Sequence, residues 1–315
     1  MKPLLHSVLL IVLAASASAM PVFATDARDP LKLRLQSANA LVLGAGDDLP
    51  IYAKNAETVT PIASITKLMT AMVVLDAKQP ADDLLTIDIA DLDMLKGSHS
   101  RLRLGVELPR VEMLRLALMA SENRAASALC RYYPGGANAC IAAMNVKAMS
   151  LGMRNTHFSD STGLNSENQS TARDLARMVM AASKYPMIRE FSTTPNAMVD
   201  APPTGRQVSF QNTNSLVRTG TWDIQLQKTG FIREAGRCVV MLAIVASKPV
   251  VIVLLDSIGK LTRVGDANRI RHWLETGEAL VEARVVAKKK GLSKHRYTAR
   301  TTTHHRAEVA SISPA

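Results

Sequence analysis

Aromatic side chains make up only 4% of the 315 residues, and the chain has only three cysteines. A core poor in Phe, Tyr and Trp has to be packed from aliphatic residues, and Leu, Val, Ala and the 15 methionines are plentiful. Three cysteines cannot form the dense framework that holds small secreted domains together. Cys130 and Cys140 stand ten residues apart and can pair across a helix–loop–helix. Cys238 sits in an apolar stretch and reads as a small buried hydrophobe. There is no C-x-x-C pair and no Cys/His spacing suited to a metal, and His304-His305 is too short a tract to hold one. The sequence therefore requires neither a metal nor an organic cofactor. Also missing is an apolar run of about 20 residues able to span a bilayer. Leu43-Gly44-Ala45-Gly46 begins like a dinucleotide-binding turn, but the third glycine and the following helix are absent, which excludes that class.

What is present begins with a targeting segment. Lys2 supplies a basic start, residues 4–15 are apolar, and small residues follow at Ala17-Ser18-Ala19 and again at Phe23-Ala24. That order reads as a cleavable signal over residues 1–24, cut near 19 or 24, and implies export. Residues 25–285 then form a single domain. The net charge of +11 is unevenly placed. In residues 286–315, Lys288, Lys289, Lys290, Lys294, Arg296, Arg300 and Arg306 face only Glu308. This stretch lacks apolar periodicity and reads as a disordered basic tail. Its charge suits an anionic wall or membrane surface, or simply solubility, and export argues against nucleic acid as a partner.

The pattern of apolar residues gives an order of elements. Two strands, 31–43 and 50–53, flank a Gly/Asp turn at 44–48. Residues 64–78 form a helix apolar almost all round, which places it inside the domain. Further helices follow at 110–120, 124–131, 137–151 and 171–183. Alternation over 222–227 reads as a strand. Apolar runs at 239–246 and 250–256, split by Ser247-Lys248-Pro249, read as a buried hairpin. A helix over 265–278 closes the chain with Ile270, Trp273 and Leu274 on one face. Strands, helices, strands and a helix predict an α/β (α+β) fold: an antiparallel sheet built from both chain ends, flanked by helices, with a helical insertion.

Three short motifs carry the chemistry. Ser64-Ile65-Thr66-Lys67 sets a serine one helical turn before a lysine on the same face. A hydroxyl becomes a nucleophile when a base takes its proton, and a lysine on an all-apolar helix loses its charge through desolvation. The helix N-terminus adds unpaired N–H groups where an oxyanion would form. Ser121-Glu122-Asn123 falls between two helical patterns, so Ser and Asn project from an interhelical loop. Lys228-Thr229-Gly230 closes a strand, where a cation, a hydroxyl and a residue without a side chain suit a carboxylate on an extended peptide. Second copies read as structural: Ser257-Ile258-Gly259-Lys260 as a strand-end turn, Ser37-Ala38-Asn39 as part of an edge strand, and Ser166-Glu167-Asn168 as a turn.

Together these motifs resemble the S-x-x-K, S-D-N and K-T-G set of the penicillin-binding protein and serine β-lactamase superfamily, with Glu122 in place of Asp. The contexts around Ser64 and Ser121, and the stretches 158–176, 185–193 and 265–273, are similar to the low-molecular-mass D-alanyl-D-alanine peptidases, the endopeptidase branch above all. The resemblance covers about residues 36–278. It implies a β-lactamase/transpeptidase-like fold and a periplasmic serine peptidase that acts on peptidoglycan peptide stems and is acylated by β-lactam antibiotics. It also implies residue roles. Ser64 is the nucleophile, Lys67 the general base and Ser121 a proton relay. Asn123 orients Lys67 and the substrate, while Lys228, Thr229 and Gly230 bind it, with Lys228 helping to keep Lys67 neutral. The backbone N–H groups of Ser64 and Phe231 form the oxyanion hole. Glu167 and Glu190, the only glutamates between Asn123 and Lys228, have no Asn four residues on, so the deacylating loop of class A β-lactamases is absent. After Gly230 the sequence is about long enough to finish a sheet and one helix, which favours the endopeptidase over the longer carboxypeptidases. A carboxypeptidase acting on terminal D-alanine, and a non-catalytic wall-binding protein of the same fold, are the alternatives.

Overall fold

A computed structural model describes residues 28–201 and 205–280. The signal segment and the basic tail lie outside the described residues. From the N-terminus the elements are β1 (Asn39–Gly44), β2 (Tyr52–Lys54), β3 (Thr60–Pro61), α1 (Lys67–Asp76), β4 (Leu84–Thr86), β5 (Glu107–Pro109), α2 (Arg110–Met119), α3 (Asn123–Arg131) and α4 (Gly136–Ser150). They continue with β6 (Gln169–Ser170), α5 (Ala172–Ala182), α6 (Pro186–Thr193), β7 (Asn196–Ala201), β8 (Arg206–Gln211), α7 (Ser215–Thr219), β9 (Asp223–Ile232), β10 (Gly236–Val245), β11 (Lys248–Ser257) and α8 (Thr262–Thr276).

The main sheet has the order β2-β1-β11-β10-β9, antiparallel throughout, so the first strand lies beside the last. Its central strands read as continuous apolar runs because both faces are covered. Leu41, Val240, Val251, Val253 and Leu255 face the core shared with the helical lobe, whereas Val42, Val239, Met241, Ile252 and Leu254 face Ile270, Trp273 and Leu274 of α8. α1 sits in the middle of the lobe, and its residues from Lys67 to Val74 are all buried.

Several boundaries differ from the sequence expectation, each for a local reason. The strand expected over 31–43 begins only at Asn39. The amides of Gln36 and Ser37 donate instead to the buried carboxylate of Asp266, at 3.0 and 2.6 Å, and so cannot join a ladder. Ser37 is therefore an anchor rather than part of an edge strand, and β1 is an internal strand. The 239–256 hairpin turns at Ala246-Ser247, both at positive φ, the geometry of a two-residue turn between twisted strands. Pro249 consequently lies inside β11, where its carbonyl accepts from Ala45 N at 2.9 Å. The hairpin of β7 and β8 and the short helices α6 and α7 had no reading in the sequence.

Cys130 of α3 and Cys140 of α4 form a disulfide, with Cα atoms 5.4 Å apart, and Cys238 is buried in β10. Closing so short a loop restricts the unfolded chain by about 2–4 kcal/mol. Replacing both cysteines by alanine is expected to lower the melting temperature by several degrees, measured by calorimetry under oxidising conditions. The active-site geometry should survive, because the bridge lies at the far end of α3 from Asn123.

Candidate active site

The helix expected over 64–78 is divided. Ala63–Thr66 form a 3-10 turn and α1 begins at Lys67. Ala63, at φ 47°, bends the chain immediately before Ser64, and a bend there turns the serine into the cleft instead of into the helix stack. Two glycines hold the bend. A Cβ on Gly163 would lie 1.9 Å from Ala63 O, and one on Gly230 would lie 2.9 Å from Ile62 O and 3.1 Å from Ser64 N. Gly230 thus does admit a closely approaching backbone, as its place in the motif suggests, and the approaching segment is 62–64.

Lys67 is completely buried behind the serine. Its Nζ lies 2.9 Å from Ser64 Oγ, 2.7 Å from Asn123 Oδ1 and 2.7 Å from Thr162 O. A neutral amine has two N–H donors and one lone pair. Asn123 and Thr162 take the donors, which leaves the lone pair aimed at the Ser64 hydroxyl proton. Burial pushes the amine down from 10.5 to about 7, against the opposing pull of Asp160, Glu122 and Asp93. Lys228, also fully buried, donates to Ser121 Oγ at 2.9 Å and Thr229 O at 2.8 Å. It is driven well below its ordinary value, first by burial and then by repulsion from Lys67 and Arg263. Burial is the first cause at both amines, and the repulsion between Lys67 and Lys228 acts on each of them, disfavouring the state in which both are charged.

Ser121, at φ 60°, occupies the link between α2 and α3 that the sequence predicts. The left-handed conformation is costly for a side chain outside glycine, and here it points Oγ toward Lys228. Asn123 opens α3. Its Nδ2 donates to Ser98 Oγ at 2.8 Å, which fixes the amide with Oδ1 toward Lys67. The middle residue, Glu122, is buried and accepts from Ser100 Oγ and Arg101 N, away from the reacting groups.

Ser64, Ser121, Asn123, Thr229, Gly230 and Phe231 line one cleft of about 750 Å³, with Lys67 and Lys228 buried beneath its floor. All eight sequence-derived site residues are brought together. The second S-x-x-K is not: Ser257 ends β11 and bonds to Ser37. Nor are Asn39 and Asn168 part of the cleft; Asn168 Nδ2 donates to Thr66 Oγ1 at 3.0 Å and braces the nucleophile's turn from behind. Sequence reasoning missed several residues. Arg263 lines the cleft and donates to Gly230 O and Cys238 O at 3.1 and 3.2 Å. Thr213 pairs its hydroxyl with that of Thr229 at 2.6 Å. Thr162 acts through its carbonyl, which no residue pattern reports. Asp160 accepts from the amides of Thr162, Gly163 and Asn165 and so shapes the loop that presents it.

A family model described as D-alanyl-D-alanine carboxypeptidase matches residues 25–259. Among curated proteins, the chain is 49% identical over 265 residues to a D-alanyl-D-alanine endopeptidase of Pseudomonas aeruginosa, covering 84% of each chain. It is 47% identical over 267 residues to one of Escherichia coli, covering 85% of each. Among solved structures, the DD-transpeptidase of Streptomyces K15 is similar with a TM-score of 0.71 and 29% identity, covering 77% of this chain and 98% of that one. A penicillin-binding protein of Listeria monocytogenes in its ampicillin-bound form is similar with a TM-score of 0.65 and 26% identity, covering 77% and 98%.

Proposed function

Because the chain belongs to the D-alanyl-D-alanine carboxypeptidase family of serine peptidases, we propose that it is a D,D-endopeptidase that cuts D-alanyl cross-links in peptidoglycan. The observation that carries this reading is the 2.9 Å contact between Ser64 Oγ and an amine held near neutrality by burial. Lys67 takes the Ser64 proton as the hydroxyl attacks the D-alanyl carbonyl. The N–H groups of Ser64 and Phe231 receive the oxyanion. Ser121, backed by Lys228, passes a proton to the departing amine, and water then releases the acyl-enzyme. Thr229 and Arg263, which line the cleft with Lys228 buried beneath them, form the end that receives the carboxylate beside the scissile bond. In a cross-link that carboxylate belongs to the diamino acid whose side-chain amine leaves. The endopeptidase choice is supported by the names of the relatives with 49% and 47% identity. Export to the periplasm is the compartment this substrate requires. The signal-like N-terminus supports it, and no helix of the described residues is long and apolar enough to cross a membrane.

Labelled penicillin is expected to acylate the mature protein and not Ser64→Ala, and deacylation is expected to be slow because the glutamate-bearing E-x-x-x-N loop that activates water in class A β-lactamases is absent between Asn123 and Lys228. Purified muropeptides then decide the bond: cross-linked dimers should be cut, and loss of the monomeric pentapeptide alone would overturn the endopeptidase assignment in favour of a carboxypeptidase.

A further inference from the structure

The cleft continues past the reacting groups. β9 runs from Lys228 through Phe231 to Ile232 and then turns over Arg233 and Glu234, which still line the cleft. The 93–98 loop contributes Leu95, Lys96 and Ser98 to the same cleft. Asp93 shapes that loop by accepting from the amides of Leu95, Lys96 and Ser98 at 2.8–2.9 Å. Lys96 Nζ meets Glu234 Oε1 at 2.6 Å across 138 residues of sequence. The side chains are 33% and 42% exposed. A pair this wet contributes about 0–1 kcal/mol to stability, so a ligand carrying both signs of charge can displace it at little cost.

We propose that Lys96 and Glu234 form a subsite for a zwitterionic end group on the acyl-donor peptide, the carboxylate replacing Glu234 on Lys96 and the ammonium replacing Lys96 on Glu234. This rests on the peptidase reading above. The end at Thr229 and Arg263 takes the leaving side, and the oxyanion donors are Ser64 and Phe231. The donor half of the substrate therefore lies along residues 231–234 and the facing loop. The stem residue before the D-alanine is a diamino acid. When its far end is not cross-linked and is that of a diamino-dicarboxylic acid, it carries an ammonium and a carboxylate on one carbon. Opposite charges 2.6 Å apart on the cleft wall mirror that head group, with Arg233 beside them as a further cation. An end group with only one charge leaves either Lys96 or Glu234 without a partner, which is the basis of discrimination.

The test uses the full mature chain and three cross-linked stem dimers that differ only at the donor diamino acid: free end, acetylated amine and amidated carboxylate. Wild type should favour the free end over each blocked form by about tenfold in kcat/KM, the scale of one charge-assisted hydrogen bond. Glu234→Gln should lose the preference against the acetylated amine, and Lys96→Met the preference against the amidated carboxylate. These are ratios between substrates, so a general loss of active enzyme does not move them. If wild type takes up labelled penicillin at Ser64 yet treats the three dimers alike, or if both ratios persist in the variants, the subsite is overturned while the peptidase stands. If wild type takes up no penicillin, the peptidase reading fails and the subsite with it.

Discussion

Replacing Lys67 by alanine is expected to slow acylation of Ser64 by labelled penicillin by at least about 10³-fold, within the range for loss of a general base. Lys67→Arg should fail as completely, because a guanidinium keeps the charge and the length but cannot give up its proton at any working pH. An active Lys67→Arg enzyme would mean that the amine acts as a fixed charge, and the base role would be wrong. The pH dependence follows from the same group. Only neutral Lys67 can accept the serine proton, and burial sets its midpoint at about 7. Acylation should therefore fall about tenfold per pH unit below that midpoint and level off above it. In Asn123→Ala the amine loses the acceptor at 2.7 Å that favours its charged form. The acid limb of the profile should then move to lower pH, which a merely structural role for Asn123 would not produce.

Gly163→Ala is expected to reduce acylation at least 100-fold and to cost about 3 kcal/mol or more in stability, measured by penicillin labelling and chemical denaturation. Two penalties add. At φ 81° an alanine is strained by roughly 1–2 kcal/mol. Its Cβ also falls 1.9 Å from Ala63 O and 2.9 Å from Ser64 N, so the nucleophile's turn has to move. Gly152→Ala separates the two. Gly152 has φ 72° but nothing within 4 Å of the added carbon, so only the backbone penalty should appear and labelling should stay at wild-type level. Equal labelling by the two variants would show that the Gly163 contact does not position Ser64.

The reacting residues were legible because each motif joins a residue type to an element boundary. Ser64 and Lys67 stood at the start of an apolar run, Ser121 and Asn123 between two helical patterns, and Lys228 and Gly230 at the end of an alternating strand. The central hairpin and α8 were equally plain, since a sheet covered on both faces leaves unbroken apolar runs and a packed helix leaves a stripe. Supporting groups were not legible. Thr162 works through its carbonyl, Arg263 is one arginine among many, and Ser98 comes from a loop without periodicity. The late start of β1 was hidden for a similar reason: residues 31–38 are apolar enough for a strand, but Asp266, more than 200 residues away, captures their amides. The division of the 64–78 helix depends on a backbone bend at Ala63, φ 47°, that a local stretch without glycine does not advertise.

The pairing of β1 with β11 bears on when this chain can fold. Asn39 lies opposite Leu255, so the sheet closes only after nearly every residue of the domain is available, and the long loop between them has to be ordered first. A chain emerging from a ribosome can pair β1 with β2 early, but the other edge of β1 has no partner until β11 follows. The 63–66 turn that carries Ser64 packs on β9 and β10, whereas α1 is surrounded by α2 to α6, so the nucleophile takes its place only when those late strands arrive. Reactivity at Ser64 is thus tied to completion of the fold: the serine has its base and its cleft only once both chain ends have met in the sheet.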